Sequence, residues 1–521
     1  MGSVAMAPEH RLVLRRSFDL PTYADAFGDE VEGFKKGYQA LLNNSDHEVF
    51  DLGGRQIQLA GPIDMHAAVP NREAFELRRE IANGMFEAKP NAAWDTVTVS
   101  QSGDYSSNDP LVLRNVTNIA SIAIGSRVTG SGVGREVYVA DRNVAAETLT
   151  LSQPLYGAAA NQTYTFERYQ YILDFSGFTK MSKYVFHNIE FQCAGEASGV
   201  MIARDGLTFE MNDCLINKPK DRAVTSAGRG CQGILIDRCQ FLSNAQSLPV
   251  ASRKTLVLNV NSNDAKLRDN RVVLFEHFAV LSGTGNIVTG NHWFHGDNVP
   301  QGARKGGLIL TAPNCLTTVT GNYVDNNFIE WTNEHDATPE FSNQFSFGGL
   351  TLTGNIFTTL NAGASFSWLV VKPYGAGHFV HGLTVTGNVF RAINGNVKRF
   401  ETVDTSFADL NYARLRNIVV DANTFNAVDE VTQNPVILPV TQASDASTWV
   451  VDTGTYLPFG GWARTVPSVV KTGDIQTGSS QRYDWPTVRV EQGSAKTEVA
   501  LQWPTSCRGA VDVTVRCDNP I

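Results

Sequence analysis

The chain has 521 residues, of which 42% are hydrophobic and 18% charged, and its formal net charge is −9. This length suffices for two to four domains, or for one elongated repeat body with attachments. The negative charge argues against a nucleic-acid partner, because such proteins usually carry a basic face. No apolar run reaches the roughly 18 residues that a membrane span needs, and the N-terminus lacks the apolar core of a secretory signal.

The cysteines and histidines favour no metal site. Seven cysteines without a C-x-x-C spacing are typical of free thiols in a reducing cytoplasm rather than of zinc binding or a disulfide framework. Cys507 and Cys517 lie close enough in sequence to pair, but free thiols are the preferred interpretation. His292 and His295 with Asp297 could be metal ligands, yet no fourth partner is evident, so hydrogen-bonding loop histidines are preferred. We therefore predict no metal and no cofactor.

Residues 1–90 are predicted to hold an arginine-containing arm, a cap helix and a first coil of strands. Phe34 and Tyr38 are spaced so that they share one face of a helix. Such a face can cover the open end of a stack of coils, which a repeat protein needs for solubility. The arm, residues 1–26, is predicted to be irregular, and residues 71–88 are the other segment predicted to be helical.

Residues 91–168 differ in pattern from the rest of the chain. Short alternating segments such as DTVTVS, REVYVAD and TYTFERY are joined by Gly, Asn and Ser turns, which is typical of strands. The pattern predicts a small all-β module that is inserted between the first coil and the main body.

One eight-residue motif recurs through residues 169–428. It reads LTVTGNVF at 383–390 and LTLTGNIF one copy earlier, and apolar and threonine side chains alternate, as in a strand, up to Val385. The apolar phase then slips, and Gly387 with Asn388 supplies residue types that tolerate the left-handed backbone of a tight corner. Each copy is therefore predicted to be strand, bend and strand, at steps of 21 to 35 residues.

The corner position is predicted to carry an asparagine ladder. Asparagines at the same corner of successive coils can bond to each other through their amides, which satisfies polar groups that burial would otherwise leave unpaired. Cys239 and Ile189 stand at the equivalent position nearer the N-terminus and are expected to interrupt the ladder. The aligned asparagines are Asn212, Asn270, Asn291, Asn322, Asn355, Asn388 and Asn423.

With these motifs the chain resembles the pectate-lyase-like superfamily of right-handed parallel β-helices, and within it the phage tailspikes. The stretch FGDEVEGFKKGYQALLNNSDHEVFDLGGRQIQL at 27–59 carries the likeness: a Gly-Asp turn, a short helix ending in Gln-Ala-Leu, and a strand with a glycine pair. The Asp-Asp-Thr that usually follows the first turn is missing. The resemblance implies an all-β solenoid with an N-terminal cap helix.

Residues 429–521 are predicted to form a terminal β domain. Strand patterns such as TVRVEQ, EVALQW and VDVTVRC follow a proline-bearing stretch, and they are typical of a β-sandwich-type domain. Because the C-terminal end of a finished solenoid must be covered, we expect this domain to close a parallel homotrimer.

Four long segments between the motifs are predicted to be outward loops that carry the binding site. They cover residues 292–306, 323–347, 358–381 and 391–415. Exposed aromatic rings beside acids and amides suit sugar binding, because rings stack on pyranoses while polar groups take the hydroxyls. The candidate substrate-binding residues are Trp293, Trp331, Trp368, Tyr374 and His378. Packing of each single aromatic against the coils is the competing interpretation.

Catalysis at these loops would take one of two forms. Hydrolysis needs two carboxylates that flank the scissile bond, although a solvated acidic loop is an equally simple interpretation. The candidate catalytic carboxylates are Glu330, Glu334 and Asp336. A lyase would instead use a base near a neutralised uronate. The candidate lyase residues are Lys372, Tyr374, His378 and His381.

Two functions follow from the resemblance. The first is a spike of a phage or phage-derived particle, such as a gene transfer agent, that binds cell-surface polysaccharide and joins a particle protein through its N-terminal region. The second is a free polysaccharide lyase or glycoside hydrolase, since fold alone does not decide function. The missing secretory signal favours the spike, which would assemble in the cytoplasm and act outside the cell as part of a virion-like particle.

Overall fold

The computed structural model describes residue 7 and residues 17–296, 299–343 and 345–520. Two long parallel sheets wind through most of these residues as a parallel β-helix, and two antiparallel sheets are attached to it. The predicted fold class is therefore confirmed. Most of the predicted N-terminal arm lies outside the described residues.

Two helices close the N-terminal end of the coil stack. Helix α1 spans Leu20–Phe27 and helix α2 spans Glu30–Asn43, and the side chains of Asp19 and Asp29 cap their first turns. Phe34 is fully buried against the side chains of the first coils. Neither described helix is long and apolar enough to span a lipid bilayer.

Two local predictions near the N-terminus are wrong. The predicted irregular arm, residues 1–26, includes most of helix α1, because Pro21 stands in the first turn, where its missing N–H costs nothing. The predicted helix at 71–88 is replaced by strands Ala74–Phe75 and Arg79–Ala88. The longer strand pairs in parallel with the strands of the neighbouring coils, and this tertiary pairing overrides the helical propensity of its charged residues.

Three strands make up each full coil. Two of them meet at the corner and join sheet 1, and the third joins sheet 2. The 21 strands of sheet 1 are Ser17–Asp19, Val49–Asp51, Gln56–Leu59, Arg79–Ala88, Tyr184–Gln192, Glu210–Asn212, Leu215–Asn217, Leu235–Asp237, Gln240–Leu242, Lys266–Arg268, Arg271–Val273, Ile287–Thr289, His292–Phe294, Asn314–Thr320, Tyr323–Asp325, Phe347–Thr353, Ile356–Leu360, Val380–Thr386, Val389–Ile393, Arg416–Asp421 and Thr424–Asn426. The ten strands of sheet 2 are Ile63–Asp64, Tyr171–Asp174, Ser198–Ile202, Arg222–Ser226, Leu256–Val260, His277–Leu281, Gly306–Leu310, Phe328–Thr332, Leu369–Lys372 and Glu401–Val403.

The strands of sheet 2 lie where the sequence analysis places loops. Phe328–Thr332 falls within the predicted loop 323–347, Leu369–Lys372 falls within the predicted loop 358–381, and the strand Glu401–Val403 is a third case. Five of the ten strands of this sheet are buried along their whole length and therefore lack the apolar–polar alternation that reveals a half-exposed strand. The three strands that fall in predicted loops are only three to five residues long, so the alternation that they show is too short to mark a strand.

The corner of sheet 1 holds the predicted asparagine ladder. Each side-chain oxygen accepts hydrogen bonds from both the backbone N–H and the side-chain amide of the asparagine one coil earlier; Asn388 accepts from Asn355 at 2.9 and 3.0 Å. The residue before each corner has a left-handed backbone, as at Gly387 with φ of 66°. The ladder runs through Asn270, Asn291, Asn322, Asn355, Asn388 and Asn423.

Asn212 is not part of the ladder, which corrects the sequence alignment. Its strand reaches the corner two residues later, at Cys214. The thiols of Cys214 and Cys239 each donate to the carbonyl two residues earlier at 3.3 Å, as several ladder amides also do. The ladder itself ends at Cys239, whose backbone N–H donates to Asn270 at 2.9 Å.

The inserted module is a six-stranded antiparallel sheet with its own small apolar core. Its strands are Val97–Tyr105, Val112–Arg114, Arg127–Thr129, Val139–Asn143, Thr148–Leu151 and Asn161–Arg168. Tyr138 of the module packs with Met201 and Tyr171 of sheet 2. The module thus lies against the outer face of sheet 2.

A second antiparallel sheet, the C-terminal sheet, follows the last coil. Its strands are Val436–Asp452, Thr465–Lys471, Ile475–Thr477, Ser480–Arg482, Thr487–Gln492 and Glu498–Arg516. The Asp518 carboxylate accepts the Ile418 N–H at 2.8 Å, and Glu401 accepts the Phe459 N–H at 3.0 Å. These bonds hold the C-terminal residues against the final coils.

The ladder generates a stability prediction. Asn388→Leu removes the oxygen that satisfies two donors of Asn355 inside the core, so we expect a loss of about 1–3 kcal/mol and a lower melting temperature. Asn212→Leu is the matched control: it makes the same substitution outside the ladder and should melt close to wild type. Melting is monitored by circular dichroism. Equal melting temperatures for Asn388→Leu and wild type would show that the ladder does not stabilise the coils.

Candidate functional site

A polar cleft of about 330 Å³ lies between the inserted module and the outer face of sheet 2. The module supplies Arg127, Arg135, Glu136 and Tyr156 to its walls. Sheet 2 and the loops that follow its strands supply Arg222, Leu256, Glu276, His277, Glu334 and Tyr374. The cleft therefore joins segments that are far apart in the sequence.

One wall of the cleft is a buried ion pair. The Arg222 guanidinium makes two hydrogen bonds to the Glu136 carboxylate, at 2.7 and 2.9 Å, and the Tyr138 hydroxyl donates to the same carboxylate at 2.6 Å. Burial raises the pKa of Glu136, but the Arg222 guanidinium outweighs this effect and lowers the pKa to about 2. Glu136 is therefore ionised, and the pair ties the module to sheet 2.

A second tie crosses the cleft through Arg135. Its guanidinium contacts Glu334 at 2.8 Å and Glu330 at 2.5 Å. A ring nitrogen of His335 donates to the Arg135 carbonyl at 2.7 Å, while its other ring nitrogen bonds Ser282 at 3.1 Å. Burial raises the pKa of Glu334, but Arg135 outweighs burial, and the pKa lies below its usual value. Two of the three predicted catalytic carboxylates thus share one arginine.

Three aromatic rings form a platform beside the cleft, named here the aromatic platform: Tyr156, Tyr374 and Phe407. Tyr374 stacks on Phe407 with ring centroids 4.3 Å apart, and Tyr156 meets Tyr374 edge-on at 4.4 Å. Phe407 is 50% exposed. The Tyr374 hydroxyl donates to Glu334 at 3.4 Å, so the platform and the cleft are continuous.

Lys372 stands next to the platform and is paired. Its ammonium lies 2.8 Å from the Asp404 carboxylate and 5.5 Å from the centroid of the Phe407 ring. Burial raises the pKa of Tyr374, so its hydroxyl stays protonated at neutral pH. Lys372 is thus held in an ion pair and Tyr374 keeps its proton, an arrangement that does not favour the predicted lyase role.

The three predicted tryptophans are buried, which overturns their assignment as exposed stacking surfaces. Trp331 lies in a sheet 2 strand and points into the coil, where its indole N–H donates to the Pro313 carbonyl at 3.0 Å. Trp293 donates to Asn327 at 2.7 Å, and Trp368 packs against other aromatic rings. Their segments are strands and corners rather than loops, so the competing interpretation, packing within the coils, is correct.

Two further predicted residues lie away from the cleft. His378 is buried, and its ring nitrogens contact Ser346 at 3.1 Å and the Pro339 carbonyl at 2.8 Å, which is a structural arrangement. Asp336 accepts the Thr338 N–H at 3.0 Å and lines a second groove of about 340 Å³ on the other side of its loop. Asp297, considered above as a metal ligand, lies outside the described residues.

Arg135, Tyr156 and Phe407 were missed by the sequence analysis. Arg135 and Tyr156 belong to the inserted module, which the repeat pattern describes only as an interruption. Phe407 lies in a predicted loop, 391–415, between Asp404 and Asp409, but no binding candidate was taken from that loop. Only the glycine-rich turn around Gly134 signals a close approach: a side chain there would collide with the Glu334 carbonyl.

Comparisons with known proteins found similar chains among solved structures. No protein-family model and no curated protein sequence matches the chain. The chain is similar to the tailspike of Escherichia coli bacteriophage HK620 in complex with a pentasaccharide, at 10% identity and a TM-score of 0.39, over 96% of this chain and 94% of that one. It is also similar to the Gp54 tailspike of Acinetobacter baumannii bacteriophage AP22 in complex with a capsular saccharide, at 10% identity and a TM-score of 0.28, over 96% of each chain.

The Glu136–Arg222 pair generates an acid-sensitivity prediction. The pKa of Glu136 in the fold, about 2, lies below the usual value of 4.5 for a glutamate, so its contribution to stability is present above pH 4.5 and is lost as the pH falls toward 2. Glu136→Ala leaves the Arg222 guanidinium buried without a carboxylate partner and should cost about 3–5 kcal/mol at pH 7. The difference in melting temperature between Glu136→Ala and wild type should shrink on acidification. A difference that stays constant from pH 7 to pH 3 would contradict the electrostatic origin.

Proposed function

We propose that the chain is the polysaccharide-binding spike protein of a phage or phage-derived particle, and that the glycan binds in the cleft and across the aromatic platform. The observation that carries this proposal is the platform itself. An exposed ring stacked on a second ring, beside carboxylates and hydroxyls, offers a sugar both a flat apolar surface and hydrogen-bond partners. The predicted function class is kept, with the site moved from the tryptophans to the platform.

The ion pairs between the module and sheet 2 also favour binding of the glycan without a large rearrangement of the protein. Arg135 and Arg222 already fix the module to sheet 2 through ion pairs. A site that is rigid before the ligand arrives loses less conformational entropy on binding. The module is therefore proposed as one wall of a preformed cleft.

Attachment to a particle is proposed for the N-terminal end of the chain. Helices α1 and α2 cover the first coils there and leave an open groove lined by acidic residues such as Asp25 and Asp29. A spike of a gene transfer agent remains the narrower proposal, with assembly in the cytoplasm and action outside the cell.

A homotrimer is proposed on the basis of the C-terminal sheet. This part of the chain exposes large apolar side chains, and a monomer in solution would be expected to cover such side chains. These side chains are Ile437, Val450, Val470 and Trp485. Contact between three copies through this sheet would remove them from water.

A depolymerase on the same fold is the alternative function. Glycoside hydrolysis needs a protonated carboxylic acid beside the leaving oxygen. Glu334 has a lowered pKa because Arg135 outweighs its burial, which suits a base or nucleophile and not that acid. The test is to incubate a polysaccharide with the protein and to measure its chain length by size-exclusion chromatography. If wild type shortens the polysaccharide and Glu334→Gln does not, this alternative is established. If wild type leaves the chain length unchanged, binding alone is supported.

The platform generates a binding prediction. Phe407→Ala removes the exposed stacking surface while the coils stay intact, so affinity for the bound polysaccharide should fall by about 1–3 kcal/mol with an unchanged melting temperature. Tyr483→Ala is the matched control, because Tyr483 is 77% exposed but lies directly after the strand Ser480–Arg482 of the C-terminal sheet. Calorimetric titration of the full chain with bacterial surface polysaccharides provides the measurement. Equal losses for both variants, or none for Phe407→Ala, would exclude the platform.

The trimer has its own test. Light scattering should give three copies for the full chain, and Val450→Glu combined with Val470→Glu should yield smaller species, because charges replace apolar contacts. A monomeric wild-type protein would remove the trimer proposal and leave the binding site untouched.

A further inference from the structure

We propose that the cleft selects polysaccharides whose sugars at this site are uncharged, and that it discriminates against uronate, sialate and phosphorylated sugars. This inference rests on the proposed function, because it names the chemical class of ligand for the same site. It follows from how the charged groups around the cleft are already paired.

Every arginine that lines the cleft in the described part of the chain already binds a carboxylate. Arg127 contacts Glu167 at 2.7 Å, and Arg222 forms a bidentate pair with Glu136. Arg135 is shared by two carboxylates. A sugar carboxylate entering the cleft would therefore find no guanidinium free to form the bidentate contact that usually recognises such groups.

The neighbouring lysines are occupied in the same way. Lys372 beside the platform is paired with Asp404, and Lys305 is paired with Glu276, whose carboxylate lines the cleft. Across these contacts five cations face six carboxylates, which leaves one negative charge in excess. The excess lies where Glu330 and Glu334 share one arginine.

The titratable rings at the site do not offset this charge. Burial lowers the pKa of His277, which lines the cleft, and of His335, which holds the Arg135 loop. Both imidazoles are therefore neutral at neutral pH. Tyr374 also stays neutral and offers a hydroxyl.

The consequence is a rejection of anionic sugars. An added carboxylate or phosphate would meet like charge in a confined site, or would have to displace a protein carboxylate from its arginine and leave that group unpaired. A neutral sugar instead donates its hydroxyls to the carboxylate oxygens that line the cleft, those of Glu276 and Glu334. The same residues thus bind one class and exclude the other.

The first experiment compares one polysaccharide in two charge states. A uronate-containing bacterial polysaccharide and its carboxyl-reduced form are titrated into the full chain, next to a panel of neutral bacterial surface polysaccharides. Neutral polymers should bind at least about tenfold more tightly than anionic ones, a ratio that corresponds to about 1.4 kcal/mol. Uronate-containing polymers that bind as tightly as neutral ones would overturn the charge selectivity and leave the proposed function standing. Absence of binding to any polysaccharide would overturn the proposed function itself.

A second experiment locates the selectivity in the acid pair. Glu330→Gln removes the excess charge but keeps an oxygen that can accept from Arg135, so the anionic-to-neutral affinity ratio should rise about tenfold. Glu340→Gln is the matched control, because it changes the net charge of the protein by the same amount as Glu330→Gln, but Glu340 lines the second groove and not the cleft. Equal ratios for the two variants would show that overall charge, and not this site, sets the preference.

Discussion

The hydrogen-bonded corner of the coils is the constraint on which the rest of the structure depends. Each coil from Asn270 to Asn423 places one asparagine side chain inside the apolar core. The hydrogen bonds of these amides form only if each coil lies directly above the previous one. A shift of one residue would leave these donors unpaired and would also turn each strand inside out. Over the coils from Asn270 to Asn423 the ladder thereby fixes the register of sheet 1, and with it the register of the sheet 2 strands between these corners.

Fixed register has a consequence on the outer face of sheet 2. Side chains from successive strands stand in columns there, so that Val280, Ile309 and Glu330 follow one another along the helix axis. Leu256, Val280 and Ile309 form an apolar patch that is separate from the main core and buried. An outer patch of this kind needs a cover.

The inserted module lies over this face, where Leu256 lines the cleft, and it is attached both by ion pairs and by the packing of Tyr138 against Tyr171 and Met201. Its ties to the coils run through Glu136 with Arg222 and Arg135 with the glutamate pair, while its own apolar core remains separate. Ion pairs buried in this way add little net stability compared with apolar packing, but they are costly to break and they fix geometry. The result is a rigid, charged cleft of modest volume rather than a sealed interface. Because these arginines are already paired with carboxylates that position the module, they are not free to bind an anionic ligand.

The repeat made most of the fold predictable, whereas the site depended on contacts that the repeat does not encode. The phase slip at Gly387 and Asn388 predicted the corner correctly, because a period of two that shifts by one residue has few other causes. Trp331 was misassigned because its strand, Phe328–Thr332, has only five residues, and so short an alternation does not distinguish a strand from a loop. Arg135 lies nearly 200 residues from the glutamates that it binds, and no local pattern links them. Tyr374 alone among the predicted binding residues lies at the cleft, since it follows the last residue of a sheet 2 strand closely and emerges where that strand ends.

Hydrogen–deuterium exchange of the full chain, with and without a bound neutral polysaccharide, tests the central claim that the module and sheet 2 form the glycan site. The backbone amides of residues 127–136, 153–158, 372–375 and 404–410 should exchange more slowly in the complex, because these segments carry the cleft walls and the aromatic platform. The second groove, which Leu316 and Phe345 line, should be unaffected. Protection confined to that groove or to the outer face of sheet 1 would contradict the account.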